Sequence, residues 1–457
     1  MAVEIDKMEN KRIRSKIISM ILPITIENIL QMTAGFFSMA MLGRIDPIAI
    51  GSFGISNRIT QIVWGLFKGI ATGASVFVAQ AYGANNNEKL KKVALQTLIS
   101  SIALVVILQQ ILFWKGTYFL KIFNPRDVLL ENGTMYLKTV SWGLPFLTII
   151  LVVAGILQGM GNAKTPMKVA LIMNLLNVIF GYTLIFGHFG FKPMGLKGAA
   201  IATVLSQVIA AILGLWVLFS RDGILENSIN KKSMKFDTKE IASIYKVGMP
   251  TAFESIFWQL AAIIITKAVL TYGEVAFAAY QLGLQAESIS YMPAAGFGVA
   301  ATTFIGQTLG SGEKELGKKY LKQLVIGTSV ITVFTGGVLM FFPKQVMRIL
   351  TDDAEVIRIG IQYLVVMGLV QIPQNIAGVL NGALRGAGFT RVPMIVAGAG
   401  LWCIRVPFSL LAAYVFKMDV RAIWVIIGID MALRFVLSLA IYKNKDIYNK
   451  ELLIEEN

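Results

Sequence analysis

Two glutamates at matching places in the chain are the residues best suited to carry charge chemistry. Glu27 follows Pro23 by four residues, and Glu254 follows Pro250 by four residues. Each lies in a long apolar run, so each carboxylate is expected at membrane depth, where an ionisable side chain is costly and marks a functional site by default. We predict that Glu27 and Glu254 exchange a proton or hold a cation. The alternative is a structural glutamate bonded to polar neighbours or to carbonyls freed by the proline.

The elements that must position these glutamates are membrane-spanning helices. Of the 457 residues, 56% are hydrophobic and 15% are charged, whereas an average soluble protein carries about 25% charged residues. Apolar runs of about 20 residues, the length that spans a bilayer as an α-helix, recur throughout. The pattern predicts an all-α polytopic membrane protein with twelve transmembrane helices, at residues 17–43, 48–80, 93–114, 135–158, 167–187, 197–219, 244–271, 275–307, 321–342, 359–384, 394–415 and 422–442.

Positive charge sets the predicted orientation of these helices. The net charge is +16, but the Lys and Arg residues lie mostly in short loops between apolar runs, a pattern typical of membrane topology rather than of nucleic-acid binding. With the N-terminus inside, the inner segments hold about twice as many Lys and Arg as the outer loops. We therefore expect a multi-pass plasma-membrane protein with both termini cytoplasmic, in contact with membrane lipid, monomeric and without a nucleic-acid partner.

The sequence repeats itself at an offset of 227 residues without a gap. The matches include Pro23 with Pro250, Glu27 with Glu254, Gln80 with Gln307, Glu88 with Glu315, Gly159 with Gly386 and Pro166 with Pro393. Six spans in each half give both halves the same orientation, so we predict two six-helix bundles related by a pseudo-twofold axis along the membrane normal. The predicted divisions are a cytoplasmic tail at 1–16, a bundle at 17–219, a cytoplasmic linker at 220–243, a second bundle at 244–442 and a cytoplasmic tail at 443–457.

Other polar side chains within the predicted spans could line a cavity for a substrate or an ion. These candidates are Asn28, Gln31, Asn174, Asn177, Trp258, Gln281, Gln285 and Asn375. Amides inside a membrane also join helices to one another, so a structural role is the alternative for each.

Two further patterns have a simpler structural interpretation. Asp430 and Arg434 are four residues apart in the last span, and we predict that they pair with each other. Gly65, Gly69 and Gly73 form a stripe of small residues, and we predict close helix packing there.

Motifs for enzyme chemistry are absent from the sequence. It has no Ser/His/Asp grouping, no HExxH motif and no phosphate-binding loop, and its single Cys403 and single His188 offer no metal site. We expect neither an enzyme nor a bound cofactor. We expect a cation held at the deep glutamates to be H⁺ or Na⁺, and Na⁺ would bind at Glu27 or Glu254.

Several stretches resemble a known family. Val78-Ala-Gln80-Ala-Tyr-Gly83-Ala and its counterpart Ile305-Gly-Gln307-Thr-Leu-Gly310 resemble signatures of the multidrug and toxic compound extrusion (MATE) family, as do Leu384-Arg-Gly386-Ala-Gly388 with Pro393 and Gly195-x2-Gly198. The resemblance covers essentially the whole chain. It implies two six-helix bundles around a central cavity, working by alternating access. It also implies a prokaryotic antiporter that exports organic, cationic or amphipathic drugs and toxic metabolites in exchange for protons or sodium ions.

The chain departs from the family pattern at its better-known acidic positions. The first-span aspartate of several branches is Ser38 here, the fifth-span aspartate is Gly181, the seventh-span glutamate is Trp258, and the tenth-span aspartate falls near Gln374 or Asn375. Glu27 and Glu254 are therefore the deep acids that remain for coupling. A flippase for a lipid-linked substrate, from the same wider superfamily, is the alternative function.

Overall fold

The computed structural model describes residues 2–123, 125–226 and 235–454, apart from the side chains of residues 2–7, Ala34 and Pro47. The side chain of Lys7 in the predicted N-terminal tail, residues 227–234 of the predicted linker and the last three residues of the predicted C-terminal tail lie outside the described part. Within that part the regular elements are all helical, as the composition predicts.

The helices follow the apolar runs closely. In the first half they are α1 (Ala2–Gly43), α2 (Pro47–Gly83), α3 (Asn87–Lys121), α4 (Asp127–Ser141), α5 (Leu144–Gly159), α6 (Lys164–Phe186) and α7 (Gly195–Phe219). In the second half they are α8 (Thr238–Leu270), α9 (Glu274–Gly310), α10 (Lys314–Phe341), α11 (Pro343–Leu350), α12 (Ala354–Gly386), α13 (Arg391–Ala399), α14 (Val406–Leu410) and α15 (Arg421–Asn444). Two π-helical segments, Gly400–Arg405 and Leu411–Val415, flank α14.

Eleven of the described helical stretches are long and apolar enough to cross a membrane, and the bent pair α4–α5 makes a twelfth if it is counted as one span. The two helices of the pair meet at 52°. Pro145 lies in the first turn of α5, where its missing N–H removes a hydrogen bond that would continue α4. The sequence predicts one helix from residue 135, so both the break and the earlier start at Asp127 are corrections.

The helix α1 begins at Ala2, so it extends through the predicted N-terminal tail before the first predicted span at residue 17. The charged residues before the first apolar run are good helix formers, and the chain has no glycine or proline before Pro23 to end a helix there. Likewise α8 begins at Thr238, inside the predicted linker.

The helices form two compact units. Unit 1 consists of residues 1–25, 79–85 and 253–457, and unit 2 consists of residues 26–78 and 86–252. The chain therefore changes unit four times. The first change, after Thr25 within α1, and the last, after Ala252 within α8, are again 227 residues apart, and residues 79–85 at the end of α2 account for the other two. The first and last changes each lie two residues beyond the matched proline. The domain boundaries predicted from the sequence follow the two halves, whereas the first part of α1 belongs to unit 1 and the first part of α8 belongs to unit 2.

The part of α1 before Thr25 and the part of α8 before Ala252 each pack in the unit formed mainly by the other half. In both units this part packs against a glycine. In unit 2, a Cβ at Gly73 would lie 2.6 Å from the Gly248 Cα atom of α8. In unit 1, a Cβ at Gly296 would lie 3.3 Å from the Ile21 side chain of α1. Ile21 and Gly248 are matched by the repeat. The predicted close packing of the glycine stripe is thus confirmed at Gly73, and its partner is the segment just before Pro250.

A second contact at the start of the exchanged helices is also repeated. In unit 2, Lys92 of α3 pairs with the Asp237 carboxylate at 2.7 Å. Gln96 donates to the Lys235 carbonyl at 2.7 Å and accepts from the Asp237 N–H at 3.1 Å. In unit 1, the matched Lys319 of α10 pairs with Glu9 at 2.6 Å, and the matched Gln323 donates to Asn10 at 3.1 Å. In each unit, a lysine and a glutamine four residues later thus bind the start of a helix from the other half of the sequence: α3 binds the start of α8, and α10 binds the start of α1.

Electrostatics support the unit 2 contact at neutral pH. The hydrogen bond from Lys92, with the N–H of Glu240, lowers the pKa of the Asp237 carboxyl from its ordinary value. A lowered pKa in the folded state means that the stabilisation is present above the unfolded pKa and is lost as the pH falls through the folded pKa. The pair is partly exposed, so its contribution is small, and the buried amide of Gln96 carries more of the contact.

Replacing Gln96 by alanine should loosen the start of α8. The substitution removes hydrogen bonds to the carbonyl of the exposed Lys235 and the N–H of the half-buried Asp237, and each such bond is worth about 0.5–1.5 kcal/mol. We expect faster amide hydrogen exchange at residues 237–241. Gln323→Ala at the matched, half-buried position should have a smaller effect on residues 10–14. Equal exchange in Gln96→Ala and the unsubstituted protein would contradict the assignment.

Candidate functional site

Glu27 lies in unit 2 among neutral hydrogen-bond donors. Its side chain is buried, and the residue is 6% exposed. Gln31, one turn along α1, donates to Oε1 at 3.4 Å, and Gln158 near the end of α5 donates to Oε2 at 3.2 Å. Lys68 of α2 acts on the carboxylate at longer range. The structure thus brings Glu27 and the predicted Gln31 together and adds Gln158, which the sequence analysis missed.

Glu254 has a different partner in unit 1. Arg385, near the end of α12, donates from Nη2 to Glu254 Oε2 at 2.5 Å, with 18% and 16% of the two side chains exposed. Arg385 and Gln158 are matched by the 227-residue repeat, as are Glu254 and Glu27. The same contact therefore occurs twice, once with a neutral glutamine and once with a permanently charged guanidinium.

This difference separates the two predicted coupling residues. A carboxylate bound to a guanidinium already has its counter-charge, and protonating it would leave a cation buried without a partner. A carboxylate bound to amides can be protonated or can take a cation without that penalty. Glu27 therefore fits the predicted role better than Glu254. The signal in the sequence was the glutamine that stands at position 158 where the second half has Arg385.

A third buried carboxylate, Glu287 of α9, lies in unit 1 and was not among the predicted site residues. Tyr363 of α12 donates to its Oε2 at 2.5 Å, and Gln371 donates to its Oε1 at 2.9 Å. The predicted Asn375 continues the network, donating to Gln371 at 3.4 Å and to Thr332 of α10 at 3.0 Å. Glu287 is thus a second deep acid whose hydrogen bonds come from neutral side chains.

Trp258 lies between basic residues. The Cζ atoms of Arg405 and Arg434 are 4.9 and 4.6 Å from its ring centroid, close enough for cation–π attraction. Both arginines also donate to the same Asp430 oxygen, Oδ2, at 2.7 Å. The predicted pairing of Asp430 with Arg434 is confirmed, and Arg405, at the end of the first π-helical segment, joins it. We call these four residues the Trp258 cluster.

Comparison with known proteins places the chain in a family. The family model MatE matches residues 23–183 and 250–411, so the two matched segments begin at the two repeated prolines. The chain belongs to the MatE family. The family resemblance inferred from the sequence is therefore confirmed, and membership makes the chain a transporter rather than an enzyme.

Named relatives cover nearly the whole of this MatE chain. A probable multidrug resistance protein NorM of Thermotoga maritima is 32% identical over 98% of the chain and 96% of its own length. A probable multidrug resistance protein YoeA of Bacillus subtilis is 26% identical over 89% of the chain and 88% of its own length.

Solved structures show the same fold. An outward-facing multidrug resistance MATE transporter has a TM-score of 0.86 at 19% identity, over 94% of this chain and 95% of its own.

The remaining predicted residues of this MatE protein form neutral contacts. In unit 2, Ser38 donates to the Asn177 side-chain oxygen at 3.4 Å, and Asn177 donates to Thr203 and Ser206 at 3.3 and 3.4 Å. Asn174 instead donates to the Ala170 carbonyl of its own helix at 2.8 Å. Asn177 thus joins helices α1, α6 and α7 by hydrogen bonds, which is the structural alternative for an intramembrane amide.

Asn28, Gln281 and Gln285 are half-buried, and their predicted cavity role stays a prediction. Within the described residues, no three His, Cys, Asp or Glu side chains come together as a metal site. A cation at Glu27 would therefore need neutral oxygen ligands, which the side-chain amides of Gln31 and Gln158 could supply after rotation.

Proposed function

We propose that this MatE transporter exports drug-like small molecules across the plasma membrane in exchange for H⁺ or Na⁺, with Glu27 as the coupling residue. The named relatives support drug export. The observation that carries the coupling role is the repeated contact, in which Glu27 meets a glutamine where Glu254 meets an arginine. Glu27 can therefore gain and lose a positive charge while its partners stay neutral.

Binding of an ion at Glu27 changes what its neighbours can do. The ionised carboxylate accepts hydrogen bonds from Gln31 and Gln158. A proton on one oxygen adds an O–H donor that needs an acceptor, and either amide can supply one by turning its own oxygen toward the carboxyl. Glu27 lies two residues beyond Thr25, where α1 leaves unit 1, so a local change there acts on the segment that joins the two units. Glu287, with its neutral donors, is a second candidate for the same exchange in unit 1.

The matched prolines support alternating access. Pro23 and Pro250 each lie two residues before the place where a helix changes unit, and proline weakens the helix around it by removing a hydrogen bond. Because the chain crosses between the units at these two helix segments, and again near residues 78–86, a reorientation of the units must deform α1 and α8 there. We propose that α1 and α8 bend there during the transport cycle.

Gradient-driven efflux of a fluorescent amphipathic dye tests this function. Inside-out vesicles containing the protein should take up the dye when a proton or sodium gradient of the correct direction is imposed. Uptake should stop when an ionophore collapses that gradient. Uptake that is unaffected by every imposed ion gradient, or no uptake above that of empty vesicles for a panel of dyes, would contradict the proposal. The gradient that drives uptake also identifies the ion.

The alternative is a flippase for a lipid-linked substrate. One observation favours it: the side chains of three unit 1 arginines, Arg385, Arg405 and Arg434, are at most 18% exposed, and buried guanidiniums bind phosphate well. The same vesicles distinguish the two functions, because a flippase would move a labelled phospholipid between leaflets and would leave the soluble dye untransported.

A further inference from the structure

The Trp258 cluster carries more positive than negative charge in a buried place. It contains two guanidiniums and one carboxylate, and arginine stays protonated in proteins. The side chains of Arg405, Arg434 and Asp430 are 9%, 11% and 0% exposed. An excess cation at membrane depth is costly unless a partner compensates it. The cluster therefore calls for a further negative group.

Neighbouring acids do not fill this role completely. Glu287 acts on Arg405 and Glu254 acts on Arg434 electrostatically, which reduces the excess charge. However, the Glu287 oxygens accept from Tyr363 and Gln371, and Glu254 accepts from Arg385. Neither acid hydrogen-bonds to the two arginines in the described part of the chain.

Two guanidinium donors are left without partners. Arg405 Nη2 and Arg434 Nε are buried, and among the described residues neither has a hydrogen-bond acceptor. Asp430 Oδ1 is also without a donor, so the cluster offers one acceptor beside its two donors. Buried donors of charged groups rarely stay unsatisfied, because each costs more than a neutral one. The two unpaired guanidinium nitrogens and Asp430 Oδ1 are therefore the atoms that point to a ligand.

The backbone of Gly400 packs directly against these groups. A Cβ there would lie within 2.6 Å of Asp430 Oδ1 and Arg434 Cδ, so only glycine fits beside the aspartate and the arginine. Arg405 ends the π-helical segment that begins at this glycine, and single π-helical turns are common at functional sites. Trp258 is half-buried and lies one helical turn along α8 from Glu254 of the partly exposed Glu254–Arg385 pair, so the cluster and that pair share one face of α8.

We propose that the Trp258 cluster binds an oxyanion, a carboxylate or phosphate group, of the transported molecule. The proposal rests on the exporter function and extends its substrates from cations to amphipathic anions and zwitterions. Arg405 Nη2 and Arg434 Nε donate to the oxyanion, in the charge-assisted geometry for which guanidinium is suited. The Trp258 ring keeps both guanidiniums in place, and Asp430 orients them from the other side.

Matched naphthalene ligands test the site on purified full-length protein. The expected result is that radiolabelled 2-naphthoate binds about tenfold more tightly than 2-naphthamide, a neutral molecule of the same shape, because hydrogen bonds to charged groups are worth at least that factor. Equal binding of the two, or tighter binding of the amide, would overturn the proposal without any variant.

In Arg405→Gln the preference for naphthoate over naphthamide should fall to about twofold or less, while the exposed control Arg391→Gln should keep it. Arg405→Lys, which keeps the charge, covers the case in which Arg405→Gln fails to fold, and it should retain an intermediate preference. A full preference in a folded Arg405→Gln would also overturn the proposal.

Two further measurements follow. The first distinguishes a soluble oxyanion from a lipid phosphate, and the second distinguishes failure of the anion site from failure of the exporter function. Displacement of naphthoate by 2-naphthyl phosphate but not by dihexanoyl phosphatidic acid supports a soluble substrate, and displacement by both supports a lipid phosphate as well. Gradient-driven dye efflux is measured on the same preparation. Efflux without a naphthoate preference refutes the anion site and leaves the exporter standing. A preference without efflux of any dye supports the anion site and contradicts the exporter.

Discussion

Replacing Glu27 by glutamine should abolish gradient-driven accumulation of substrate while the protein stays folded. Glutamine has nearly the shape of glutamate and can keep the contacts with Gln31 and Gln158, but it cannot exchange a charge. One charge that crosses a potential of 100 mV supplies about 2.3 kcal/mol, which corresponds to about fiftyfold accumulation. We expect the accumulation ratio in vesicles to fall from that range to about one.

The repeat supplies a matched pair of further variants for this prediction. Gln158→Arg gives Glu27 the partner that Glu254 has, and it should abolish coupling although Glu27 itself is unchanged. Arg385→Gln gives Glu254 the partner that Glu27 has, and it should leave coupling through Glu27 in place. Glu88→Gln makes the same chemical change at an exposed position and should transport normally. Undiminished accumulation with unchanged dependence on pH and sodium in Glu27→Gln would refute the coupling role.

Removing the carboxylate of Asp430 should destabilise unit 1 strongly. Asp430→Ala leaves Arg405 and Arg434 buried without their shared partner, and breaking a buried ion pair in this way costs about 3–5 kcal/mol. The measurement is the loss of unfolding free energy in detergent micelles, followed with denaturant. Asp419→Ala removes an exposed aspartate near Arg421 and should cost under about 1 kcal/mol.

A compensating substitution checks the reason for this loss. In the double variant Asp430→Ala with Arg434→Met, one of the two uncompensated guanidiniums is gone, so part of the stability should return. A double variant that is less stable than Asp430→Ala alone, or an Asp430→Ala loss no larger than that of Asp419→Ala, would show that the charge balance of the cluster does not control stability.

Helical spans and the internal repeat could be predicted because they depend on local sequence. A run of apolar residues must be helical in a bilayer, since the backbone has no other way to satisfy its hydrogen bonds. The pairing of Asp430 with Arg434 was predictable for a similar reason, because residues four apart share a helix face.

The partners of the deep carboxylates could not be predicted in the same way. Gln158 and Arg385 are each 131 residues from the glutamate that they contact, and which helices meet is decided by packing over the whole unit. The same holds for Glu287 of α9, whose hydrogen bonds come from Tyr363 and Gln371 of α12. The exchange of the first helix segments between units was also hidden, because a hydrophobic pattern gives spans but not their neighbours.

The break between α4 and α5 shows where local signals compete. Gly143 and Pro145 lie within a continuous apolar stretch, and the apolar composition of that stretch predicts one uninterrupted helix. The missing N–H of proline ends α4 at Ser141 instead. At the matched positions the second half has Val370 and Ile372, and α12 runs from Ala354 to Gly386 although Pro373 lies inside it. The break in the first half therefore goes with the combination of Gly143 and Pro145, not with a proline alone.

Ion movement during efflux tests the coupling role of Glu27 most directly. Proteoliposomes with the purified protein are given a saturating dye, and the flux of H⁺ or of ²²Na⁺ in the opposite direction is recorded. The proposal predicts dye-dependent counterflow in the unsubstituted protein and in Arg385→Gln, and its loss in Glu27→Gln and Gln158→Arg. Dye-dependent ion counterflow of equal size in Glu27→Gln, or dye transport by the unsubstituted protein without any counterflow, would contradict it.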